Sequence, residues 1–213
     1  PDAGSVFTGW TGACTGTGPC SVSIDAVKSV TANFASNNYT LSVNRSGNGL
    51  GSITSDDGGI NCGATCSASY AGGTLVTLTA TPLAGSVFTG WSGSCTGTGT
   101  CVTTMDAAKS VTANFTLINY TLTVTRAGAG SGTITSNIGG INCGATCSSS
   151  YSFGTVVTLT ATPAPGSVFV GWSGGGCTGI GTCTTTMTSA VSITANFAPA
   201  VFTLTTSKSG TGT

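Results

Sequence analysis

The chain has 213 residues and only 5% are charged: five Lys and Arg balance five acids, all Asp, and there is no His, Glu or Gln. A neutral chain with so few bases carries no electrostatic footprint for nucleic acid or an anionic membrane. Lacking His and Glu, it also lacks the commonest general bases and the commonest metal ligand, so neither an enzyme nor a cofactor site is expected.

Gly contributes 34 residues, Ser and Thr together about a third of the chain, and there are 10 Cys. An even Cys count among small residues reads as a disulfide framework made in an oxidising compartment, so an extracellular location is expected. No apolar run approaches the roughly 18 residues that a membrane helix needs, so no membrane insertion is expected.

The chain is a repeat. Trp10, Trp91 and Trp172 stand 81 residues apart, as do Cys62 and Cys143. Cys95 to Cys177 is 82, because one extra Gly precedes Cys177. Pro1 aligns with Pro82 and Pro163, so the chain opens in mid-repeat. The expected domains are residues 1–34 as the C-terminal half of a repeat, 39–115 and 120–197 as full repeats, and 202–213 as the first strand of a further one. The two partial pieces together still lack the equivalent of 51–81, so the expected whole is a longer tandem array.

Each repeat reads as all-β. In chain order the first full copy predicts strands at 39–43, 51–55, 66–70, 74–82, 87–91, 101–105 and 109–115. The clearest is TLVTLTATP, which alternates Val76, Leu78 and Ala80 with Thr77, Thr79 and Thr81, the period-2 signature of a half-buried strand. In the last strand Val111, Ala113 and Phe115 share a face. Gly, Asn and Asp clusters separate the runs, as hairpin connections require. The fold class expected is a tandem array of small, disulfide-stapled antiparallel β modules.

Cysteines come as a close pair in CGATC (Cys62 and Cys66; Cys143 and Cys147) and a wider pair (Cys14 and Cys20; Cys95 and Cys101; Cys177 and Cys183). Each pair spans a Gly-rich turn, which favours local bridges over zinc ligation, where C-x2-C knuckles are usual. Every copy also carries G-W-[ST]-G at Trp10, Trp91 and Trp172, either a core residue beside a disulfide or a platform for sugar rings. Strict alternation puts Val87 on the face of Trp91 and Phe88 on the other.

Lys28 and Lys109, near Asn33 and Asn114, invite an isopeptide cross-link; the last copy has Val191 in place of the Lys, which argues against one. Asp56 and Asp57 invite a calcium loop, but the next copy has Asn137 and Ile138 there.

In order, CGATC, VTLTATP, F-x-GWSG and SVTANF resemble the divergent internalin-type B-repeats of bacterial surface and secreted proteins. The resemblance covers essentially the whole chain. It implies β modules strung as a stalk, with neighbouring repeats or identical chains as partners and no catalytic residues. A glycan- or surface-binding adhesin module is the alternative.

Overall fold

The computed structural model describes residues 1–2 and 4–210 and is all β among them. With no helix there, none is long and apolar enough to cross a membrane. Two compact units, Pro1–Leu117 and Ile118–Thr213, are set out in turn.

The first unit opens with a two-stranded antiparallel ribbon, β1 (Ser5–Gly12) and β2 (Val30–Ser36). A complete module follows: β3 (Asn38–Ser46), β4 (Gly51–Ser55), β5 (Asn61–Cys62), β6 (Ser67–Ala71), β7 (Leu75–Pro82), β8 (Ser86–Gly93), β9 (Cys101–Thr104) and β10 (Lys109–Leu117). One sheet has the order β6-β3-β10-β8 and the other β5-β4-β7-β9. The strands expected from alternation are present, and β7 buries Val76 and Leu78 while Thr79 and Thr81 face out.

The expectation of purely antiparallel modules needs one correction. β10 pairs with β3 in parallel, from Lys109 opposite Leu41 to Asn114 opposite Ser46. The last strand of the module therefore lies beside the first, at the centre of the sheet. Alternation cannot reveal this, because it fixes faces and not neighbours.

That core draws on both sheets: Leu41, Val43, Tyr70, Trp91, Val111 and Phe115 meet Ile53, Val76, Leu78 and Cys101. Phe115 is 0% exposed. Its ring lies so close to β4 that a Cβ added at Gly51 would sit 2.2 Å from it. Glycine at that position is a packing requirement.

The second unit repeats the plan with β11 (Asn119–Ala127), β12 (Gly132–Ser136), β13 (Ser148–Ser152), β14 (Val156–Pro163), β15 (Ser167–Ser173), β16 (Cys183–Thr186) and β17 (Val191–Pro199). β17 again pairs in parallel with β11. Its core residues stand one repeat on from those of the first module, from Leu122 to Phe197. Residues 202–210, expected to start a further repeat, form no strand; 211–213 lie outside the described residues.

Candidate functional site

The recurring tryptophans, the asparagines and the wider cysteine pairs converge on one structure, a stapled loop beside a bulged strand. In the first module β8 runs antiparallel to β10, and the register slips between Phe88 and Gly90. Thr89 is the extra residue, and Gly90 sits at φ +139°, a conformation that other residues rarely adopt.

The bulge resets the alternation, which overturns the expected face assignment. Phe88 and Trp91 share a face, ring centroids 5.1 Å apart, and Phe88 also meets Phe115 at 5.5 Å. Val87 is the residue left outside, 44% exposed. The same geometry recurs at Phe7 and Trp10, and at Phe169 and Trp172.

An asparagine holds each bulge. Asn114 Nδ2 donates to Gly90 O at 3.0 Å and to Ser92 Oγ at 3.3 Å. Asn33 does the same at Gly9 and Thr11, and Asn196 at Gly171 and Ser173. Sequence reasoning examined Asn33 and Asn114 for cross-linking and missed this role. The signal was there, since the asparagine is present in all three copies while the lysine is in two.

The tryptophans pin the wider disulfide loops. Trp91 N donates to Gly97 O at 2.8 Å, and its indole Nε1 donates to Gly99 O at 2.7 Å. Both acceptors lie inside the loop closed by Cys95–Cys101. Trp172 does likewise with Gly179 and Gly181, and Trp10 with Gly16 and Gly18. Trp91 and Trp172 are each 5% exposed. Those two rings, buried and already hydrogen-bonded, offer no face to a sugar, while Trp10 is half-buried.

All five bridges are local: Cys14–Cys20, Cys62–Cys66, Cys95–Cys101, Cys143–Cys147 and Cys177–Cys183. Their Cα separations run from 4.3 to 5.7 Å. Among the described residues no Cys is free, and no group of three or more acids, His or Cys could hold a metal.

The charged candidates act as local clips. Lys109 Nζ lies 2.9 Å from Asp106, and Lys28 Nζ 2.6 Å from Asp25. The Lys109 hydrogen bond and charge hold the Asp106 carboxyl below its ordinary range. Lys109 and Asn114 are five apart on β10 and so point to opposite faces, away from any mutual bond. Asp57 accepts from Ser55 Oγ, from Gly59 N at 3.1 Å and from Tyr70 Oη at 3.2 Å. The Ser55 bond leads the effects that lower its pKa. In the second module the carbonyl of Ile138 takes over, accepting from Ser136 and Tyr151. Asp57, weighed above as a calcium ligand and set aside, is thus a loop acceptor that a peptide carbonyl replaces.

Comparison with known proteins agrees with the repeat. The sequence profile of the divergent InlB B-repeat domain matches residues 1–38, 39–119 and 120–201. No curated protein sequence matches the chain. Among solved structures, the Bacillus anthracis TIE protein is similar over 81% of this chain and 38% of its own, with 8% identity and a TM-score of 0.47. The major pilin T-13 of Streptococcus pyogenes is similar over 93% of this chain and 100% of its own, with 10% identity and a TM-score of 0.37. A C-terminal fragment of the pilus adhesin SpaC from Lactobacillus rhamnosus GG gives 78% and 100% coverage, 10% identity and a TM-score of 0.37. None of these structural likenesses bears on function.

Proposed function

We propose that this chain, which belongs to the divergent InlB B-repeat family, is a length of an extracellular stalk or rod at a bacterial surface. The observation that carries the proposal is the link between modules inside the first unit. Asn37 N donates to Gly4 O of the ribbon at 2.8 Å, and Asn37 O accepts from Gly72 N of the following module at 2.6 Å. Its side chain donates to Tyr39 Oη at 2.6 Å. A linker that hydrogen-bonds both neighbours has none of the freedom of a flexible Gly/Ser tether.

In the second unit each half of the pattern recurs on its own: Ile118 O accepts from Phe153 N of the module that follows it at 2.8 Å, and Ala200 N donates to Gly166 O of the module before it at 2.8 Å. Five disulfides and the family favour an extracellular setting. The work of such a chain is mechanical: it holds what it carries at a distance.

Neighbouring repeats are the partners this role needs. Separate chains joining through the edge strands β6 and β8 would extend it to a filament. NMR relaxation on the first unit tests the stiffness. Residues 5–36 and 38–115 should tumble as one body, and a four-residue Gly/Ser insertion after Asn37 should decouple them. Independent tumbling before the insertion would end the rod reading.

A further inference from the structure

One cleft occurs twice, and none of the roles above uses it. In the first module it lies between the end of β3 and the Cys62–Cys66 bridge and measures about 410 Å³. Its counterpart at the end of β11, beside Cys143–Cys147, measures about 450 Å³. Each has one arginine in its wall, Arg45 and Arg126. The tail carries Lys208 at the same place in the repeat, so three of the chain's five bases occupy a single repeat position.

The arginine brings more than one donor to the cleft. β6 ends its pairing with β3 at Ser42 opposite Ser67, and Val43 N then donates to Cys66 O at 2.8 Å. Two residues on, the pleat turns the Arg45 N–H to the same side, past the end of β6, where no strand follows. Val124 N donates to Cys147 O at 2.8 Å, which places the Arg126 N–H alike. One guanidinium nitrogen is fixed: Arg45 Nη1 donates to Gly51 O at 3.0 Å, and Arg126 Nη1 to Gly132 O at 3.1 Å. A guanidinium has five N–H donors, so four remain. Among the described residues the acids that form ion pairs are Asp25 and Asp106, both with lysines, so neither arginine is neutralised.

We propose that this repeated cleft binds the carboxylates of a uronate polysaccharide. Each arginine offers its guanidinium fork and its own main-chain N–H to one carboxylate, beside half-buried Cys66 or Cys147. A planar fork matches a carboxylate bidentately. Each site is open to water and holds a single cation, so it is weak alone; a polyuronate carries a carboxylate on every sugar, and any of them can fill a cleft, which raises the apparent affinity. Peptide strand addition fits poorly, because the backbone of β3 is unpaired on that side only near Arg45 and gives no run of edge. The site is independent of the stalk reading, and losing it leaves a stiff chain stiff.

The test is calorimetry and amide NMR on the full oxidised chain with polygalacturonate, with dextran as the neutral control. The expected result is salt-sensitive binding, with amide shifts at Arg45, Cys66, Arg126 and Cys147 and none with dextran. The double variant R45Q/R126Q should bind roughly 10- to 100-fold more weakly while remaining folded. R45K/R126K, which keeps the charge and loses the fork, should fall between and covers the case in which the Gln variant is unstable. Absent binding, binding that the double variants leave intact, equal binding of dextran, or binding of dextran sulfate alone would each overturn the proposal.

Discussion

Phe34, Phe115 and Phe197 occupy one repeat position and end the same SVTANF or SITANF motif, yet they are 56%, 0% and 1% exposed. Truncating each to alanine therefore separates motif from packing. Phe115 is held between Phe88, 5.5 Å away, and the β4 backbone at Gly51. Neither neighbour can move in to fill the space, so Phe115→Ala should cost about 3–5 kcal/mol, the range for a buried phenylalanine. A module of this size has a total stability of roughly 4–12 kcal/mol at the usual ~0.05–0.15 kcal/mol per residue, so the variant sits near its folding limit. Phe34→Ala removes a ring already half in water and should cost about 1 kcal/mol or less. Hydrogen exchange read by mass spectrometry on the oxidised chain resolves the outcomes by segment. F115A should lower protection of β3–β10 by roughly two to four orders of magnitude and leave β11–β17 unchanged. F197A should do the converse, and F34A should move neither. Comparable losses in both segments from either core variant would refute the assignment of separate cores, and a large loss from F34A would refute the context argument.

Two further outcomes follow from the bridges and the Asp57 loop. Closing loops of four and six residues is worth about 2 kcal/mol each on the chain-entropy model, so a reductant should lower the denaturant midpoint of a module by the equivalent of about 4 kcal/mol. Equal midpoints with and without reductant would mean that the bridges add nothing to stability. The folded-state pKa of Asp57 is lowered, so its contribution is complete above the ordinary aspartate range and is lost as pH falls through the folded value. Acid titration by NMR should therefore shift the Gly59 and Ile60 amides below about pH 4, leave Gly140 and Ile141 of the other module still, and be abolished by Asp57→Asn. A matching drift at Gly140 would show that the effect does not come from Asp57.

Most strands were legible because alternating Val, Leu and Thr state which side is buried, and β7 follows its pattern residue by residue. The local bridges were legible from spacing and glycine content. Three things were not. The parallel pairing of β3 with β10 is a contact between residues about 70 apart, and neither strand's pattern encodes it. The face of Phe88 was misread because one bulge residue inverts every later assignment in β8. The clefts were missed because an isolated arginine in a strand reads as solvated surface, and only the repeat position gives it meaning.

The near-absence of charge is what makes that position informative. The chain carries its own controls, and they show which charges the fold can do without. The Asp106–Lys109 pair is replaced in the last copy by Thr188 and Val191, and Val191 packs against the core. The carboxylate of Asp57 is replaced by the carbonyl of Ile138. A neutral donor could equally satisfy Gly51 O, since the bond needs an N–H and not a charge. Yet that position is Arg45, Arg126 and Lys208 in turn. A cation at that position, where the fold needs only a hydrogen bond, is what the proposed anion site accounts for. The proposed uronate would then be the contact by which the proposed stalk, otherwise neutral, meets its surroundings.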